Sequence, residues 1–436
     1  MFRIRPSINS PTLWFLIGLA VVMLALWFPF IPNWQTFIHM WRVEIAGSVL
    51  LLCTLSYFIV RARRRDTAIQ LHPDEMKFIV LPILAFILWS SMSILWAESW
   101  KSAVHHSLVW AEYLMFYIIF RQILERDGGL KALLAVLVLT LLLYSLPAII
   151  EYCAYLTFGG QTTLGIRFAK YGEQVVTLLP LVLLGVIRTH GKQFVIGAAV
   201  VTMLWLLIFC SLGRANYFLF GGVIVSLFAC VLISNGYRKY APRFALLVVL
   251  LVVAPLPLHV FSLFSSNTIV PPLARLNDSD ALASSNNFRK LMMSLAGQML
   301  RDNPTAGVGG DNFGMQVNRY RQAYGAANPQ DINLANAEDQ IPGHAHNEFL
   351  QVAAELGGVG VAIMTWLLVG IGALAFRSIR YVRSGSLYPV AAILGPGMFL
   401  ASSLVSSYSF RVMQNGIVFF FVLAVASTTL IRSHRA

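Results

Sequence analysis

Runs of about twenty apolar residues recur along this chain between short polar segments, and that length is what a helix needs to cross a hydrocarbon layer. The pattern predicts twelve spans: 13–30, 45–60, 78–96, 107–123, 132–150, 173–187, 194–212, 215–234, 244–263, 356–376, 387–406 and 416–431. The span around Pro180 is the shortest. One polar stretch of roughly eighty residues, from Phe264 to His346, breaks the series, and connections of that size usually carry function. Inside it, Phe288, Leu291, Met292, Leu295 and Met299 fall at helical spacing and predict an amphipathic helix over 287–300 that lies at a membrane surface. Asn303–Gly314 reads as a turn-rich loop, and 325–341, rich in Ala, Asn, Asp and Gln, as irregular chain. The expected organisation is therefore nine spans in 1–263, one large loop in 264–345 and three spans in 346–436. No solenoid repeat and no soluble second domain is evident.

Composition agrees with the pattern: 58% of the 436 residues are hydrophobic, 12% are charged and mean hydropathy is +0.71, against about 25% charged residues in a soluble domain. The fold class is all-α and polytopic, and a soluble core is excluded. The net charge of +13 suggests nucleic acid only until its distribution is considered. Clusters such as Arg61, Arg63, Arg64 and Arg65, or Arg377, Arg380 and Arg383, fall on one set of connections. The short connections on the other side hold only Arg42, Lys101, Arg167, Lys170, Arg214 and Arg411. By the positive-inside rule both termini are cytoplasmic. The first apolar run follows Arg3 and Arg5 but is too long for a signal-peptide core and has no small-residue cleavage site, so it reads as a membrane helix. Cys53, Cys153, Cys210 and Cys230 sit in or beside apolar runs without CxxC spacing, which indicates neither a disulfide framework nor a zinc site.

Few polar residues remain to carry chemistry. In GHAHNEFLQVAAELGGVG, residues 343–360, a polar segment with His344 and His346 runs into a membrane span. In a helix, His346, Leu350, Ala353 and Gly357 share one face. An imidazole at a helix N-terminus tends toward its neutral form, the state a general base needs. The plain alternative is a hydrogen-bonded boundary histidine. Arg214, in SLGRANYFLF, separates two spans that otherwise nearly fuse. It either snorkels to headgroups or presents a planar fork that suits a diphosphate. Arg289, with Lys290 beside it, opens the amphipathic helix and is either a headgroup-facing charge or a second anion ligand. Arg411 lies on the same side. Gly307, Gly309 and Gly310 lack the GK[ST] ending of a P-loop and read as a tight turn. Asp278 and Asp280 form a DxD that either holds a divalent cation or marks a turn.

With these residues on the page, the chain resembles the bacterial O-antigen ligases, of the superfamily that includes O-antigen polymerases and protein O-oligosaccharyltransferases. The ligase signature is His, then Asn, Ser or Gln, nine residues, Gly, two residues, and Gly, Thr or Tyr. His346, Asn347, Gly357 and Gly360 match it in full. Arg214 in SLGRA and the run from Arg289 through NPTAGVGGDNFG resemble the superfamily's other landmarks in order. The resemblance implies a C-type (GT-C-like) glycosyltransferase of the bacterial inner membrane, with a periplasmic active site in which the large loop is periplasmic. It implies inverting, metal-independent transfer of O-antigen polysaccharide from undecaprenyl diphosphate to lipid A–core oligosaccharide, in lipopolysaccharide biosynthesis, with no cofactor. The roles implied are His346 as base, Arg214 and Arg289 as diphosphate ligands, and His344, Asn347, Arg411 and Lys290 in support. The rivals are a polymerase or protein O-oligosaccharyltransferase of the same superfamily. A non-enzymatic lipid-linked oligosaccharide flippase, for which the intramembrane Glu112 would be suited, is a further one. The missing long C-terminal extension favours the ligase; the sequence names neither the glycan, the acceptor sugar nor the oligomeric state.

Overall fold

The computed structural model describes residues 10–25, 71–158, 169–211, 213–264, 279–327, 343–384, 386–405 and 410–435. All regular structure among them is helical: α1 Ser10–Ala25, α2 Pro73–Leu95, α3 Trp100–Leu124, α4 Gly129–Phe158, α5 Ala169–Ile187, α6 Lys192–Cys210, α7 Arg214–Ile233, α8 Arg238–Phe264, α9 Ser279–Asp302, α10 Phe313–Ala327, α11 Glu348–Ser384, α12 Tyr388–Ser403 and α13 Met413–Arg435. Eight of the described helices are long and apolar enough to cross a membrane, and two shorter apolar stretches, Tyr171–Ile187 and Tyr388–Ser403, accompany them. This is a multi-pass membrane protein. The expected span 45–60 and residues 26–30 of the first span lie outside the described residues; each of the other spans overlaps a helix where it is described. The amphipathic helix is longer than its periodicity indicates, Ser279–Asp302. A second outer helix, α10, occupies Phe313–Ala327, where no helix was expected; its anchors Phe313 and Val317 are buried against α9.

Lipid-exposed and protein-buried positions are equally apolar, so sequence alone does not rank these helices by depth. The packing does. α13 is the central post: 94% of its Met413–Leu430 stretch is buried, against 22% in α8. It packs on α3, α5 and α12, and α12 packs on α5 and α11. Gly416 lets this post sit against α3, because a Cβ there would fall 2.2 Å from the Tyr113 ring.

Helix direction gathers the ends of α2 and α12 and the starts of α3, α5, α7, α11 and α13 at one end of the bundle. The opposite end is locked by charge. Arg121 Nε lies 2.5 Å from Glu75 Oε1, and the Tyr117 hydroxyl donates to the same oxygen at 2.9 Å. Arg377 pairs with Asp74. Arg121, which the charge bias counts with the cytoplasmic connections, is a buried ion-pair member inside α3 and not a connection charge.

Candidate active site

The site is built on a break in α11. At Gly357 the backbone leaves the helix (φ 63°, ψ −162°), freeing amides and carbonyls that must find other partners. The Gly-rich loop after α9 supplies them. Val308 and Gly309 amides donate to the carbonyls of Ala354 and Glu355 at 2.9 and 2.8 Å, and Gly358 and Val359 amides donate to Pro304 and Thr305 carbonyls at 2.8 and 3.3 Å. Trp89 Nε1 donates to the Leu356 carbonyl at 2.9 Å. Two glycines make this contact possible, both with positive φ. A Cβ on Gly357 would lie 2.3 Å from Thr305 O, and one on Gly307 2.4 Å from the Glu355 backbone. The glycine run is thus a tight turn, as its sequence indicates, and the signature glycine Gly357 is where it docks.

The same geometry corrects the picture of His346 on the face of a helix. α11 starts at Glu348 because Asn347 caps it: Asn347 Oδ1 accepts the Leu350 amide at 3.0 Å, and its Nδ2 donates to the Leu404 carbonyl at 2.9 Å. His346 stands outside the helix with φ 53°, an uncommon conformation for a non-glycine residue. Strain of this kind persists only where surroundings over-determine it. Here the Ala345 amide donates to Gln351 Oε1 at 2.6 Å, and Arg411 Nη1 donates to the Gly343 carbonyl at 2.6 Å. The His346 ring is half-buried, 4.4 Å from the His344 ring and edge-on to Phe288 at 5.8 Å. Burial, and then the charge of Arg289, push the His346 imidazole down to about 4. Burial, His346 and Arg411 push His344 to about 3. Both are neutral at physiological pH.

Arg289 on α9 is therefore close enough to act electrostatically on His346. Arg214, the first residue of α7, acts in turn on Arg289, whose own value falls through burial and the Arg214 charge. Three residues far apart in sequence thus share one neighbourhood. Among the described residues neither arginine has an ion-pair partner. Two cations held side by side without a counter-ion repel, and an anion between them relieves that repulsion. Lys290 is exposed. Asp278 lies outside the described residues; Asp280 falls in the first turn of α9.

Arg411 does something other than complete this pair. Its guanidinium bonds Asp311 and approaches Glu355 Oε1 at 3.5 Å, with Glu348 also close enough to act on its charge. These carboxylates hold Arg411 above the ordinary arginine value against burial. Burial alone would raise the Asp311 carboxyl, but a hydrogen bond with His105 and the charge of Arg411 outweigh it and hold it below the usual range. Glu355 also accepts Gln351 Nε2 at 2.6 Å and the Phe313 amide at 3.1 Å. Asn312 fastens the other flank, bonding the Ser99 amide through Oδ1 at 2.7 Å. Arg411, Asp311 and Glu355 thus tie the histidine loop to the glycine loop. Asp311, Glu355, Gln351 and Asn312 escape sequence reading, although an Asp-Asn pair closing a glycine run is a turn signal. Arg411→Met is expected to lower stability by about 3 kcal/mol, because it strands buried carboxylates. Thermal unfolding in detergent measures this, and Asp311→Asn added to that variant should recover part of the loss.

Residues 178–365 match the family model described as O-Antigen ligase. The matched segment runs from within α5 into α11 and contains Arg214, Arg289 and His346. A comparison with curated proteins gave no match. The match spans 188 of the 436 residues and supports a relationship to the superfamily of O-antigen ligases and polymerases.

Proposed function

We propose that this protein is a member of the O-antigen ligase/polymerase superfamily, an O-antigen ligase that transfers polysaccharide from undecaprenyl diphosphate to lipid A–core oligosaccharide. The observation that carries the reading is the juxtaposition of Arg214 and Arg289, without a counter-ion among the described residues, beside the neutral imidazole of His346. In the proposed reaction an acceptor hydroxyl gives its proton to His346 as its oxygen attacks the anomeric carbon of the donor. The bond from that carbon to the diphosphate oxygen breaks, its electron pair stays with the diphosphate, and the two guanidiniums stabilise the charge that develops. Direct displacement inverts the anomeric carbon. Two fixed cations do the work that a divalent metal would otherwise do on the leaving group, so transfer is expected to persist in excess EDTA.

The distribution of Lys and Arg supports both termini in the cytoplasm of an inner-membrane protein, with the site facing the periplasm. The full His346–Asn347–Gly357–Gly360 signature favours a ligase over a polymerase or a protein O-oligosaccharyltransferase. The lipopolysaccharide of a deletion strain separates these. Loss of the polymer ladder with undecaprenyl-linked long chains accumulating supports the ligase. Core capped by a single repeat unit would make the protein a polymerase, and an intact ladder would sink both.

Arg289→Lys keeps the charge and loses the fork. Its expected effect is a donor KM raised about tenfold or more, the loss of one good charge-assisted hydrogen bond, measured with purified protein, donor and acceptor. A fully active Lys variant would reduce Arg289 to a point charge.

A further inference from the structure

α9 continues well past Arg289. At 1.5 Å rise per residue, Arg301 lies roughly 18 Å along its axis. There, α9 and α10 enclose an open concavity of about 310 Å³, lined by Gln298, Arg301, Asp302, Arg319, Tyr320 and Ala323. Its floor is the small apolar core of Leu295, Met299, Phe313 and Val317, which holds the two helices together. The turn joining them is fixed by the glycine loop's bonds to α11. The concavity is therefore preformed. Its charge is unbalanced as well. Asp302, the one acid in the lining, lies beside Tyr320, while among the described residues neither Arg301 nor Arg319 has an ion-pair partner. Two guanidinium forks, an amide and an aromatic ring suit a phosphate carried on a sugar better than a bare ion.

The place of the concavity beside the Gly357 break indicates which sugar. The end of α9 docks through Pro304 and Thr305 on the Gly357 break, where Trp89 donates to the Leu356 carbonyl and its ring lies 5.4 Å from that of Trp96, tilted by 50°. Such tryptophans mark the membrane–water boundary. A donor polymer leads away from the membrane, whereas the inner sugars of a lipid-anchored acceptor lie at this level.

We propose that the Gln298–Arg301–Arg319–Tyr320 concavity is an acceptor subsite that binds a phosphorylated sugar of the lipid-anchored acceptor glycan while a more distal hydroxyl reaches His346. The acceptor role rests on the transferase reading; the sugar-phosphate site does not. The test uses the full-length protein in phosphatidylcholine nanodiscs, titrated calorimetrically with mannose 6-phosphate and with mannose. Only the phosphate should bind, and Arg301→Gln/Arg319→Gln should weaken it at least tenfold while Arg289→Gln leaves it intact. Binding lost in Arg289→Gln instead, or unchanged in the double variant, overturns the site. Displacement of mannose 6-phosphate by phosphatidylglycerol in the nanodisc would make it a headgroup site and overturn the acceptor role. In transfer assays the double variant should raise the KM for lipid A–core at least tenfold, and should show no such penalty once phosphatase has stripped the acceptor. A penalty equal for both acceptors also overturns it. No transfer with any acceptor, alongside arginine-dependent binding, would defeat the transferase reading and leave the sugar-phosphate site standing.

Discussion

His346→Asn is expected to reduce transfer by about 10²- to 10⁴-fold, the usual contribution of a positioned general base. Asparagine is the informative replacement because His346 has φ 53°, a region that asparagine tolerates far better than alanine. Folding should therefore survive, and the variant should keep the thermal midpoint of the parent. Turnover close to the parent's in a folded Asn variant would remove His346 from the mechanism.

The pH dependence sharpens this expectation. With the His346 imidazole pushed down to about 4, from an ordinary 6.5, the base is neutral across the physiological range. The acid limb of kcat/KM for the donor, which reports the free enzyme, should lie well below pH 6. Part of that depression comes from the Arg289 charge. A bound diphosphate neutralises that charge, so the limb in kcat, which reports the complex, should move upward toward 6.5. Donor binding thereby strengthens the base when it is needed. Arg289→Gln removes the same cation and should raise the free-enzyme limb. Coincident limbs in kcat and kcat/KM would contradict this coupling. Stability carries the same sign: the folded state resists a proton that the unfolded chain accepts, so stability is present above about 6.5 and is lost as pH falls toward about 4.

Gly357→Ala should be the most damaging of the small substitutions. Its methyl group would lie 2.3 Å from Thr305 O and 2.4 Å from the Thr305 carbonyl carbon, at φ 63°. These are backbone atoms held by their own hydrogen bonds, so no rotamer change relieves the clash. A destabilisation of about 3 kcal/mol or more is expected, from the left-handed conformation and overpacking together. Gly372→Ala, farther along the same helix, meets nothing within 4 Å and should be neutral or slightly stabilising. Equal thermal midpoints for the two variants would contradict the glycine clamp.

The site was legible in the sequence as a set of residues and not as an arrangement. Arg214, Arg289 and His346 are marked by polarity set among apolar runs, and the structure places Arg214 within electrostatic reach of Arg289, and Arg289 within reach of His346. Arg411 carries the same mark and is spent on Asp311 and Glu355. A charge pattern shows that an arginine lies at a boundary; it does not show which carboxylates the fold brings to it. His346 likewise reads as the outer end of a helix face. One side-chain bond, from Asn347 Oδ1 to the Leu350 amide, moves it off the helix and into a strained loop.

Taken alone, the sequence determined the helical membrane class and the motif at 346–360, because apolar runs and isolated polar residues are local properties of the chain; of the twelve spans it predicts, eight described helices are long and apolar enough to cross a membrane. Tertiary structure decided that α13 is the central post and α8 is peripheral, since lipid and protein interior are equally apolar and leave no amphipathic stripe to read. It also decided the break at Gly357. The glycine is visible in the sequence, but the loop from 304 to 310 that satisfies its opened backbone is about fifty residues away, and only the folded chain brings the two together.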